Sequence, residues 1–143
     1  MNARERLSKE SFDSLEAMMA AYARQAVAAA TAEHGQGLDY TGGSVFVLEK
    51  ILEASTPPDP EQQEYLTLLW GSYLGEVLLR EFGGEWTMSV YPGGEFSVPT
   101  VVIQGSRLYP LMKVFRRLTL GEGENVAEFY RLVRQRLEPA KLQ

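Results

Sequence analysis

The chain has 143 residues, a formal net charge of −5, and 45% hydrophobic against 23% charged residues, the make-up of one globular domain (1–143) and not of a disordered chain. It has no cysteine and a single histidine, His34, which excludes thiol catalysis, cysteine-ligated zinc, iron–sulfur clusters and disulfides, and leaves too little for a His-rich metal site. An acidic domain is repelled by phosphate backbones, so no nucleic-acid partner is expected.

The charge is unevenly placed: residues 1–104 hold 6 Lys/Arg and 15 Asp/Glu, whereas residues 105–143 hold 8 and 4. The first ten residues alternate in charge and lack the apolar core of a signal peptide. The longest weakly polar run, Ala17 to Ala32, is broken by Arg24 and Gln25 and is too short and too polar to span a bilayer. The expectation is a cytoplasmic protein with no membrane partner.

From Ser8 or Ser11 to about Glu33, apolar residues recur at Phe12, Leu15, Met19, Tyr22, Ala26 and Ala29, the spacing of one helical face, and Gly35 and Gly37 end the run. A second helix is expected from about Gly43 to Ala54 with Val45, Leu48, Ile51 and Leu52 inward, although its Val-Phe-Val opening also fits a strand. Residues 55–60 form the clearest break in the chain. Asp59 then reads as an N-cap, with Pro60 at the first helical position and Glu61 beside the positive helix end. The third helix, Pro60 to about Phe82, is apolar around most of its circumference, as a central helix covered on two sides would be.

After Gly83-Gly84 the period falls to about two. Trp86, Met88 and Val90 alternate with Thr87, Ser89 and Tyr91 in a first strand, Pro92-Gly93-Gly94 makes a hairpin turn, and Phe96 to Ile103 returns, with Pro99 marking an edge or bulge. Gly105-Ser106 turns again before a short strand at 107–109. Pro110 opens a helix to Leu118 with Leu111, Val114, Phe115 and Leu118 inward, and a last helix runs from Glu124 to Leu137. The fold class is therefore α+β: three N-terminal helices, a small antiparallel sheet of two or three strands, and two C-terminal helices.

Few of the motifs carry chemistry. Gly121-x-Gly123-x-x-Val126 lacks the third glycine of a dinucleotide loop, follows a helix, and sets Glu122 and Glu124 where phosphate would lie, so it reads as a helix–helix turn. Gly71 and Gly75, four apart on the most apolar helix, open a face to close approach by another backbone, since each costs about 1 kcal/mol against alanine. Glu76 beside them is either a structural acceptor or an acid/base group. His34 at a helix end is explained by the helix dipole. No cofactor is implied.

Leu38-Asp39-Tyr40 with Ser44 and Glu49, Gly71-x-Tyr73-Leu74-Gly75-Glu76, Gly83-Gly84-x-Trp86, Pro110, Lys113-Val114-x-Arg116-Arg117 and Gly121-x-Gly123 together resemble an uncharacterised bacterial domain family of unknown function. The likeness spans roughly residues 35–135, and its most specific part is the Tyr-Leu-Gly-Glu and Gly-Gly-x-Trp pair. The resemblance implies a shared fold and a bacterial cytosolic setting, and no reaction.

Lys113, Arg116 and Arg117, at spacings of three and four, share one side of their helix. With Arg131, Arg134 and Arg136 of the last helix they form either a solvated face paired with Glu124, Glu128 and Glu138, or a docking surface for an anion or an acidic protein. The leading expectation is a non-enzymatic protein-interaction domain, of immunity or chaperone type, with an unidentified protein partner. Its rival is a small hydrolase or ligand-binding domain with a pocket around Glu76, bound by Tyr73, Trp86 and Arg116. A third reading is an oligomerising structural domain, with the alanine-rich first helix as a homodimer seam.

Overall fold

A computed structural model describes residues 1–55 and 58–139. Among these, six α-helices and one three-stranded antiparallel sheet make an α+β fold. Helix α1 (Ala3–Lys9) is capped by Asn2, which accepts from the Glu5 N–H at 2.8 Å, and is anchored by buried Leu7. Helix α2 (Leu15–His34) starts from a cap of its own: Ser14 Oγ accepts from the Ala17 N–H at 3.0 Å. The first helix expected from Ser8 or Ser11 to about Glu33 is α2, which starts later, at Leu15; the unexpected α1 precedes it, so four helices precede the sheet instead of three. The cause is local, because Glu10 and Ser14 are both extended and Ser14 satisfies a first-turn N–H that a continuous helix would have bonded internally. Gly35 closes α2 in the left-handed conformation, at φ +63°.

Helix α3 (Ser44–Ala54) resolves the ambiguous Val-Phe-Val segment as helix, with Val45, Leu48, Ile51 and Leu52 buried. Thr56 and Pro57 of the expected break lie outside the described residues. Helix α4 (Pro60–Phe82) begins as expected, Asp59 accepting from the Glu61 N–H at 3.1 Å. It is the central element: Leu69, Trp70, Tyr73, Leu74, Val77 and Leu78 are all buried, and α2 and α3 pack against it. Side chains of that size contribute about 1.5–3 kcal/mol each when fully buried. Ala23, Ala26, Ala29 and Ala30 of α2 are buried in this same core, so the alanine face is used within the chain and is not free to serve as a seam between copies.

Strands β1 (Glu85–Val90), β2 (Ser97–Ile103) and β3 (Ser106–Leu108) lie in the order β1-β2-β3. The expected alternation in β1 fails after Trp86: Ser89 is buried, with its hydroxyl donating to Thr100 Oγ1 at 2.8 Å, while Met88 and Val90 are exposed. Pro99 sits in the central strand, opposite Met88, but β3 pairs only with Val101 to Ile103. At Pro99 the strand has one neighbour, so the missing N–H costs no ladder bond.

Helix α5 (Pro110–Leu120) crosses α4 where the two glycines lie. A methyl group at Gly71 would stand 2.6 Å from Leu111 Cα, and one at Gly75 would stand 2.2 Å from the Trp86 ring. The close approach expected from their spacing is therefore made by α5 and by Trp86. A 3₁₀ turn at Glu122–Glu124 leads into helix α6 (Val126–Arg136), capped by Asn125, which accepts from the Glu128 N–H at 3.1 Å. The Gly121–Gly123 segment is the helix–helix turn that its sequence implied.

Candidate functional site

The end of β1 and the β3–α5 junction bring Tyr91 and Tyr109 together, their rings edge to face at 5.1 Å. Nearly two turns into α5, Arg116 Nη1 donates to the Tyr91 hydroxyl at 2.9 Å, and its Nε and Nη2 donate to Glu124 Oε1 at 2.9 and 2.5 Å. Lys113 Nζ donates to the other oxygen of Glu124 at 2.6 Å. The Lys113 hydrogen bond, ahead of the Arg116 bonds, holds the Glu124 carboxyl below its ordinary range. The Tyr91 hydroxyl and then Glu124 hold the Arg116 guanidinium above its own. These groups line a cavity of about 260 Å³ together with Arg107, Leu108 and Phe129.

Arg107, Leu108 and Phe129 are also the wall of a second cavity, of about 390 Å³, which continues along β3 and α6 past Leu132, Val133, Arg136 and Leu137. Its far end is tied by the Gln104 amide: Gln104 Nε2 donates to the Glu138 carbonyl at 2.5 Å, and Gln104 Oε1 accepts from the Glu138 N–H at 3.2 Å. The two cavities form one groove with the edge of β3 on one side and α6 on the other. It carries four cations, Arg107, Lys113, Arg116 and Arg136, against the one carboxylate of Glu124. Arg107 and Arg136 make no ion pair among the described residues. In a chain of net charge −5, this is a local reversal of sign.

Of the basic residues singled out by sequence, Lys113 and Arg116 belong to this groove and Arg117 does not. Arg117 is 1% exposed. Its Nε and Nη2 grip Glu49 at 2.8–3.1 Å, and Nη2 also reaches Glu53. Glu49 Oε1 in turn accepts from the Val126 N–H at 3.0 Å, so one carboxylate joins α3, α5 and the start of α6. The Glu49 bonds outweigh burial and raise the Arg117 pKa. The shared basic side of α5 is thus divided, because Arg117 lies about 60° around the helix from Val114, on the packed side, while Phe115 turns outward. Of the carboxylates expected to pair with the basic side, Glu124 does so, Glu128 pairs with Arg131, and Glu138 meets the groove through its backbone.

The residues of the Glu76 reading are not gathered into one pocket. The Trp86 indole N–H donates to Glu76 Oε2 at 3.0 Å. Tyr73 is fully buried; its hydroxyl accepts from the Tyr40 N–H at 2.9 Å and bonds Ser44 Oγ at 2.6 Å, and burial raises its pKa. Tyr40 itself holds a left-handed backbone, φ +65°, with the Arg80 guanidinium 3.6 Å above its ring. Arg116 lies away in the groove. His34 meets the edge of Trp70, with centroids 6.0 Å apart.

Two other hollows are larger than the Tyr91 cavity: one of about 560 Å³ among α1, α2 and α4, lined by Arg4, Tyr22, Glu64 and Tyr65, and an apolar one of about 410 Å³ lined by Leu68, Pro99, Leu111, Met112 and Phe115. Glu76 lines none of these. Among the described residues, no three His, Asp or Glu side chains are placed to hold a metal ion, and no helix is long and apolar enough to cross a membrane.

Sequence reasoning missed Tyr91, Tyr109, Arg107, Phe129 and Arg136 as one group. A signal was present: Tyr91 and Tyr109 each precede a proline that ends a strand, which leaves an aromatic ring at a strand end. The pairing of those ends across the sheet is set by register and is not legible locally. No family model, curated protein or solved structure matches the chain.

Proposed function

We propose that this is a non-enzymatic interaction module of a bacterial cytosol, which captures an acidic segment of a partner protein in the groove between β3, α5 and α6. The observation that carries the reading is that Arg107 and Arg136, which make no ion pair among the described residues, stand beside the Lys113–Arg116–Glu124 cluster in a chain that is otherwise acidic. Arginine forks bind carboxylates bidentately, and Tyr91, Tyr109 and Phe129 add apolar contact area at low entropic cost. Complementary charge of this kind sets specificity and speeds encounter. The same cations are too few to hold a long polyphosphate against the field of the whole acidic molecule.

The acid/base reading of Glu76 has less support, since that carboxylate accepts from Trp86 and faces none of the cavities described above. The test is fluorescence anisotropy with a labelled oligoglutamate and a labelled oligolysine. The oligoglutamate is expected to bind and to weaken as salt is raised, and an Arg107→Glu/Arg136→Glu variant is expected to lose it. Equal binding by that variant, or preference for oligolysine, sinks the reading.

A further inference from the structure

We propose that the acidic segment enters the groove as an added β-strand along the open edge of β3, with acidic and apolar residues alternating; this rests on the reading of the groove given above. The order β1-β2-β3 leaves the outer edge of β3 without a strand partner among the described residues. Gln104 and Gly105 form a two-residue turn at φ +52° and +81°, the signs of a type I′ hairpin. In such a hairpin the flanking pair, Ile103 and Ser106, exchanges backbone hydrogen bonds, and the next pair, Val102 and Arg107, exchanges none. The N–H and C=O of Arg107 therefore point outward, so one residue offers an incoming strand a donor, an acceptor and a cation.

The surroundings fit an extended chain. Side chains of a strand alternate between two faces. The cavity beside this edge is lined by apolar Leu108, Phe129 and Val133 and by the cations Arg107 and Arg136, so it offers contacts to both apolar and acidic side chains. Leu132 of α6, 45% exposed, is the rim. The groove is held by bonds already made, the Gln104–Glu138 clasp at one end and Arg116–Tyr91 at the other, so little ordering remains to be done on binding. Strand addition obtains affinity from the main chain and selectivity from alternate side chains.

The experiment uses the whole protein, isotope-labelled, and three synthetic heptapeptides: Glu-Val-Glu-Ile-Glu-Val-Glu, a block-ordered peptide of the same composition, and the alternating peptide N-methylated at its central residues. The alternating peptide is expected to bind about tenfold more tightly than either control, the loss expected for one or two backbone hydrogen bonds, and to shift the amides of Arg107 and Leu108. Equal binding of all three, with the β3 amides unmoved, overturns strand addition and leaves the capture of acidic segments by the basic groove standing. No binding by any of them overturns both readings.

Discussion

Arg117 and Glu49 stand 68 positions apart in the chain, yet Arg117 Nε lies 3.0 Å from Glu49 Oε1, and the same oxygen receives the first N–H of α6. The pair is a polar joint where α3, α5 and α6 meet. A buried ion pair adds little net stability over a hydrophobic replacement, but loss of one partner strands the other charge. Arg117→Ala is therefore expected to cost about 3–5 kcal/mol. Glu53→Gln, at a side chain that is 63% exposed, is expected to cost about 1 kcal/mol or less. Urea unfolding of both variants measures the difference, and similar small losses for the two would show that the joint contributes nothing.

Gly71→Ala and Gly75→Ala set two known effects against each other. Alanine gains about 1 kcal/mol of helix propensity over glycine, but each new methyl would overlap Leu111 or the Trp86 ring. Overpacking of that degree costs about 1–3 kcal/mol, so both variants are expected to have a lower Tm. Gly123→Ala, with no neighbour near its added methyl, is the control and is expected to leave Tm nearly unchanged.

The Trp86–Glu76 bond gives a spectroscopic prediction. Glu76→Ala removes the acceptor from a buried indole N–H and is expected to cost about 1.5–3 kcal/mol, the range for a hydrogen bond to a charged group. Tryptophan emission should change with it, while Glu76→Gln, which keeps an acceptor oxygen, should restore most of the stability and the spectrum. Loss of binding to acidic peptides in Glu76→Gln would contradict the placement of the site in the β3–α6 groove.

The groove has a pH limit set by Glu124. Its carboxyl is held below the ordinary 4.5 by Lys113 and Arg116, so the stability it contributes is present at neutral pH and is lost as pH falls through the lowered folded value. The Tyr91–Arg116–Glu124 arrangement is expected to persist at pH 5 and to loosen only below the ordinary carboxylate range. An NMR titration of the Glu124 carboxyl carbon checks this, and a midpoint above 4.5 would be inconsistent with the observed bonds.

Much of the helical fold is legible from period alone, because α3, α4 and α5 each have a stripe of apolar residues and a proline, glycine or aspartate at an end. The helix α1 was hidden, since seven residues with one apolar anchor show no period. The role of Arg117 was hidden for a different reason: a charged residue in a basic run reads as surface, and only the arrival of Glu49 from α3 makes its burial favourable. The sequence motifs around Tyr40, Ser44 and Tyr73, Glu76 and Trp86, and Glu49 and Arg117 supply the partners of these internal bonds. Their pattern describes how the interior is tied together, whereas the groove is built mostly from Arg107, Phe129, Leu132 and Arg136, which lie outside it.

The bond from the Tyr40 amide to the Tyr73 hydroxyl places a loop N–H under the control of a fully buried side chain. Loop amides ordinarily exchange with solvent through local fluctuation. This one has an acceptor on a side chain that does not move with the loop, so it opens only when the loop lifts off α4. Its hydrogen exchange is therefore expected to be slower than that of the neighbouring loop amides, making one loop proton a gauge of how firmly the 38–41 segment is seated on the core.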